Sequence, residues 1–175
     1  RSKYYSDSKK YLLKLIKIDN ENDKWKEMLS KVSVELNQVD EAQKYINMVK
    51  DKNYHFYNYK GILHSYKNEP DLAKDCFLKS KFLKDDFTYP YFNLLDKTDY
   101  NLSDQEINFL KELLNKNLSE DDQRNILFSL AYDYERKGDY DQAFDYLKEG
   151  NSVAESAGKF DIETIREEHS RIVNV

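Results

Sequence analysis

A chain of 175 residues, 39% hydrophobic and 35% charged, is long enough for one domain with a sizeable core. Four glycines and two prolines are too few for the turns of an all-β fold, so an all-α fold is expected. A formal charge of −5 argues against a general binder of nucleic acid or acidic membrane.

The charge is unevenly spread: residues 1–60 hold 13 Lys/Arg against 9 Asp/Glu, and residues 121–175 hold 7 against 13. Cys76 is the only cysteine, so no intramolecular disulfide or thiolate metal cluster can form, and a reducing, cytoplasmic setting is expected. No run of 18 apolar residues is present, so no membrane span is expected.

In chain order, "YYSDSKKYLLKLIKIDN" (4–20) reads as an amphipathic helix without an obvious partner. A helical hairpin follows over 23–52, anchored on Leu29, Ser30, Ala42 and Ile46, and a second over 54–87 carries Tyr57, Gly61, Ala73 and Phe77. Segment 88–117 is a degenerate hairpin: a short helix with Tyr91, Leu94 and Leu95 precedes "LSDQEINFLKELLNKN", which opens on a Ser103 to Glu106 capping box. No small residue sits in that second helix, so the pair is expected to splay. Residues 120–158 form a further hairpin, with "KGDY" as its turn, Gly138 as the C′ residue of its first helix, and Tyr140 stapling its second. A helix over 161–174 closes the chain, with Ile162, Ile165, His169, Ile172 and Val173 on roughly one face.

Two stretches repeat. "YNYKGILHSYKNEPDLAKDCFLKS" (57–80) aligns under "LFSLAYDYERKGDYDQAFDYLKEG" (127–150), pairing Gly61 with Ala131, Ala73 with Ala143 and Phe77 with Leu147 at an offset of 70 residues, twice 35. This resembles the tetratricopeptide (TPR) family, whose hairpin repeats about every 34 residues. Leu127, Leu130, Ala131, Tyr134, Gly138, Tyr140, Ala143 and Leu147 all fall where its motif wants them. In the hairpin 54–87 the match is partial, since Lys60 and His64 replace the usual Leu and Tyr, and Ser80 the usual Ala. The resemblance implies a right-handed superhelix of about four helix-turn-helix repeats plus flanking helices, the last of them a cap. It also implies binding of a protein or peptide segment along a concave face lined by the first helices.

Carried over position by position, that face takes Lys24, Glu27, Lys31 and Glu35 from the first hairpin and His55, Asn58, Ile62 and Tyr66 from the second. The third adds Tyr89, Phe92 and Asp96, and the fourth Asn125, Phe128, Tyr132, Glu135 and Arg136. Aromatics in such a list suit a binding surface, because they bury much area at small entropic cost; they also suit packing between repeats. The carboxylate clamp of chaperone-adaptor TPRs is missing: Glu27 and Lys31 stand where it needs Lys and Asn, and Tyr89 with Asn93 where it needs Lys and Arg.

Signatures of catalysis are missing too. There is no phosphate-cradling glycine loop, no GxSxG, and no metal-ligand spacing among His55, His64 and His169. No enzyme activity and no cofactor or metal is therefore expected of residues 1–175. His64 reads as a core or half-buried imidazole, and Trp25 as a packing residue rather than a sugar platform. "SEDD" (119–122) reads as a Ser119 N-cap with three acids in the first turn, because the glycine and closing glutamate of a calcium loop are missing. The unpartnered helix 4–18 leaves an apolar face that could support self-association.

A narrower resemblance covers the second half of the chain. Phe128, Leu130, Ala131, Gly138, Asp139, Tyr140, Ala143, Phe144, Gly150, Asn151, Phe160 and Asp161 match the TPR region that precedes the sulfotransferase domain in bacterial TPR-sulfotransferase proteins. Ser152 and Val153 depart from it, standing where that family has Arg or Lys. This resemblance implies an accessory arm that presents an acceptor or targets a PAPS-dependent catalytic domain beyond residue 175. Gly150 stands where a TPR usually has Ala, and is expected to give way to the helix 161–174.

Overall fold

The structure, a computed structural model, describes residues 2–153, all helix and connecting turn. Eight helices run α1 (Ser2–Ile18), α2 (Asp23–Glu35), α3 (Val39–Asn47), α4 (Tyr54–Tyr66), α5 (Pro70–Leu83), α6 (Tyr89–Lys97), α7 (Asp104–Leu114) and α8 (Glu120–Arg136). A further helix, α9, runs from 140 through 153, the last described residue. The expected cap 161–174 and the end of the hairpin 120–158 lie outside the described residues.

Helix starts are written in local chemistry. Asn53 accepts the Phe56 N–H at 3.0 Å, and Ser119 accepts the Asp122 N–H at 3.2 Å. Ser103 and Glu106 form the reciprocal capping box read from sequence, and Pro70 occupies the first turn of α5, where its missing N–H costs nothing. Three helix ends share one device. Asn37 (φ 58°), Asn68 (φ 59°) and Gly138 (φ 80°) are left-handed C′ residues closing α2, α4 and α8. After each, the next N–H reaches back to a carbonyl of the last turn: Gln38 to Ser33 at 2.8 Å, Glu69 to His64 at 3.0 Å, and Asp139 to Tyr134 at 2.9 Å. The chain reverses there and starts the antiparallel partner.

The chain divides into two compact units, one through Tyr100 and the other from Asn101. The boundary falls inside the degenerate hairpin 88–117, so α6 and α7 belong to different units. The link between them lacks the left-handed cap that closes α2, α4 and α8: Thr98, the C-cap of α6, is extended, and its hydroxyl bonds back to the Leu94 carbonyl.

In the first unit, α2 packs on α3 and α4 on α5, while α2, α4 and α6 touch in succession and α1 covers α2. Small residues allow the close crossings. Ser30, buried, donates its hydroxyl to the Ala42 carbonyl across the first hairpin at 3.0 Å. Gly61 lies so close to Phe77 that a Cβ there would be 2.5 Å from the ring. Ser80 donates to the Tyr54 carbonyl at 2.7 Å. Around these contacts lie Val34, Ile46, Phe56 and Leu63 in one cluster and Ala73, Phe77 and Leu94 in another. Trp25, half-buried, packs against the cluster of Leu12, Leu29, Val32 and Tyr45.

In the second unit α7 packs on α8. Ala131 and Ala143 are both buried, and Tyr134 stacks on Tyr146 with centroids 5.7 Å apart. The fully buried Asp133 accepts the Leu102 N–H at 2.8 Å and lies 2.7 Å from Lys137 Nζ, tying the start of α7 to the end of α8. One expectation is corrected here. Tyr140 does not staple α9, since it is 69% exposed. Among the described residues the close neighbour of Gly150 is Phe128 of α8, 2.8 Å from where a Cβ would sit, and the expected contact with the helix 161–174 lies outside the described residues.

Candidate functional groove

Because α2, α4 and α6 lie side by side, their outward positions form rungs across the face of the first unit. On the first rung His55 meets Phe87 and Tyr54, with ring centroids 4.9 Å and 4.3 Å away, and Phe87 stacks on Tyr89 at 5.3 Å. Lys84 lies over the Tyr54 ring at 5.0 Å. Burial first, then the positive charges of Lys84 and Lys24, pushes the His55 imidazole below its ordinary range, so it is neutral at pH 7. Its Nδ1 is buried with no hydrogen-bond partner.

The second rung is polar and deep. Asn93 donates to Asn58 Oδ1 at 3.0 Å, and both side chains are buried. That bond leaves Asn58 Nδ2 buried without an acceptor. On α2, Glu27 is only 4% exposed, and its Oε1 also lacks a partner. Burial, then the charges of Asp23 and Asp51, pushes the Glu27 carboxyl up to about 7, against the smaller opposing effect of the Asn53 side chain. Tyr59, beside it, is pushed up to about 12 by burial and by Glu27.

Farther along, Lys31 lies over the Tyr59 ring at 6.0 Å. Ile62 is half-buried and packs against the cores on both sides of α4, so it is more floor than contact surface. At the far end Tyr66, 46% exposed, borders a shallow hollow with Ser65 and Lys97. The rungs thus run from aromatic through polar to an open rim.

Of the residues read from sequence, Lys31, His55, Asn58, Ile62, Tyr66, Tyr89 and Phe92 lie on the helices of this first-unit face. Tyr59 and Phe87, which the carried-over positions omit, complete the rungs with Asn93, which entered only through the clamp comparison. Tyr59 and Asn93 follow Asn58 and Phe92 by one residue, so a helix rotation of about 100° brings them to the seam between neighbouring helices. Asn125, Phe128, Tyr132, Glu135 and Arg136 lie on α8 of the second unit, with Asn125 buried, Phe128 and Tyr132 half-buried, and Glu135 and Arg136 exposed.

His64 is half-buried, as expected, and its Nδ1 lies 2.6 Å from Glu69 Oε2 at the turn after α4. Among the described residues, no group of three His, Cys, Asp or Glu is placed to hold a metal ion, and no helix is long and apolar enough to cross a membrane.

No protein-family model matches the chain, and no curated protein does. Among solved structures, the chain is similar to a crystal structure of MamA, with a TM-score of 0.53 and 19% identity over 89% of this chain and 91% of that one. A second MamA crystal structure gives a TM-score of 0.49 and 17% identity, covering 89% and 86%. MamA is TPR-like. The first similarity, at 19% identity, speaks to the fold alone, and with the helical hairpins above it gives this chain an all-α, TPR-like helical-repeat fold.

Proposed function

We propose that the chain is a non-catalytic interaction module that takes an extended protein or peptide segment along the α2, α4 and α6 face. The observation that carries this reading is the row of half-buried rings on that face, Tyr54, His55, Phe87 and Tyr89, continued by the Tyr59 ring under Lys31 and by Tyr66. Rings already half-buried on a face bury much further area against a partner at small entropic cost. The rings supply apolar contact, and Lys31 and Tyr66 stand at the edge. The α8 residues Asn125, Phe128, Tyr132, Glu135 and Arg136 are proposed as a contact set on the second unit.

Selection from a displayed random-peptide library tests the reading. A sequence class should be enriched on the native chain and bind about tenfold more weakly to Asn58→Asp and Tyr66→Ala variants of unchanged circular dichroism. Absence of an enriched class, or equal binding to the variants, would sink it.

The alternative, an acceptor-presenting or targeting arm of a PAPS-dependent sulfotransferase, rests on the "AF" and "GN" pairs around Phe144 and Gly150. It requires a phosphosulfate-binding loop encoded after Val175, which reading the downstream sequence tests. A cytoplasmic location fits Cys76, half-buried with its thiol pushed up by burial and so little disposed to oxidation.

A further inference from the structure

Helix α1 is apolar on two sides. Tyr5, Leu12, Leu13 and Ile16 pack toward α2. Tyr4, Tyr11, Leu15 and Ile18 form a second stripe that is 65%, 66%, 36% and 83% exposed. At about 100° per residue these four fall within roughly 60° of one another, centred about 130° from the packed side. Lys10, Lys14 and Lys17 run along the edge of that stripe with one acid, Asp7, which pairs with Lys10 at 3.4 Å, and Lys14 lies over the Tyr11 ring at 5.6 Å, so the edge keeps a net positive charge. One neighbour cannot cover both sides of such a helix.

A complementary face lies on α9. Tyr140 and Phe144, one turn apart, are 69% and 66% exposed, and the exposed Asp141 and Asp145 flank them. Apolar rings edged with acids are the counterpart of an apolar stripe edged with lysines. The same opposition holds at the scale of the sequence, with its basic first 60 residues and its acidic last 55.

We propose that the α1 stripe docks on the Tyr140 and Phe144 face of a second copy of this chain. The contact joins two different surfaces, so each copy keeps one unused face and association can continue beyond a dimer. A helix-on-helix contact is small for a protein interface, so assembly belongs to high protein concentration. Its charged rim makes it weaken as salt rises.

Sedimentation equilibrium of the 175-residue chain tests this. The expected result is a mean mass that rises with concentration at low salt and falls toward the monomer at high salt. Tyr11→Glu with Ile18→Glu should be monomeric alone, and so should Phe144→Lys, each with unchanged circular dichroism. Mixed in equal amounts they should form one-to-one dimers and nothing larger, because each variant retains the face that the other has lost. A native chain that stays monomeric throughout would overturn the proposal. So would a Phe144→Lys variant that associates like the native chain, since α1 would then pair with itself or with another surface.

Discussion

Gly61 and Gly150 sit in comparable close crossings, yet their surroundings differ. Phe77, facing Gly61, is fully buried and cannot swing away, whereas Phe128, facing Gly150, is half-buried. Alanine gains about 1 kcal/mol of helix propensity at either site, against an overpacking cost of about 1–3 kcal/mol. Gly61→Ala should therefore destabilise by up to about 2 kcal/mol in urea unfolding, and Gly150→Ala should be near neutral, becoming stabilising in a Phe128→Ala background. The reverse order would contradict the packing described. Glu27 supplies a pH signature. Its folded carboxyl lies at about 7, above the ordinary range, so its neutral form favours the fold at low pH and that contribution is lost as pH rises to about 7. Glu27→Gln should gain stability over the native chain at pH 8, by up to about 3 kcal/mol, and little at pH 4. His55 and Asp23 act with the opposite sign, their contributions being lost as pH falls, so comparing the Glu27→Gln variant with the native chain isolates Glu27.

The shared turns operate at the scale of the element. Because Gly138 adopts a φ of 80° with open space around it, Gly138→Ala should cost about 1–2 kcal/mol from backbone strain alone. Asn68→Gly should stabilise by a few tenths of a kcal/mol; thermal unfolding reads both. The hairpins are legible in sequence because small residues mark their crossings: Ser30 with Ala42, Gly61 with Phe77, and Ala131 with Ala143. A second mark is there to be read. In "LNQVD", "KNEPD" and "KGDYD" a left-handed C′ residue is followed by two residues and then an aspartate, yet Asn in two of them hides the likeness that Gly138 shows openly. The role of Asp133 is legible only in part: Lys137 is its partner one helical turn on, whereas the Leu102 N–H, 31 residues away, reaches it only when the second unit folds.

At the scale of the molecule, packing is unequal along the chain. Within the first unit α4 and α5 enclose the fully buried Phe77 and Leu63, while α1 packs mainly on α2, with Lys9 reaching Glu41 of α3. Amide hydrogen exchange should be slowest in α4 and α5 and fastest in α1; protection of α1 equal to that of α4 in the monomer would contradict this ordering. The groove is legible in part, since repeat positions give a helix face but not the seam between two helices. Asn58 can be read from sequence as a contact, whereas its bond to Asn93, which leaves Nδ2 unmet, depends on how α4 and α6 lie together. The most direct measurement of the central claim is an amide and side-chain NMR titration of the chain with a selected peptide. The account predicts shifts centred on Lys31, the Asn58 side-chain amide, Tyr59, Tyr66 and Asn93, on α2, α4 and α6. Shifts confined to α1, α3 and α5, with the Asn58 amide unmoved, would contradict it.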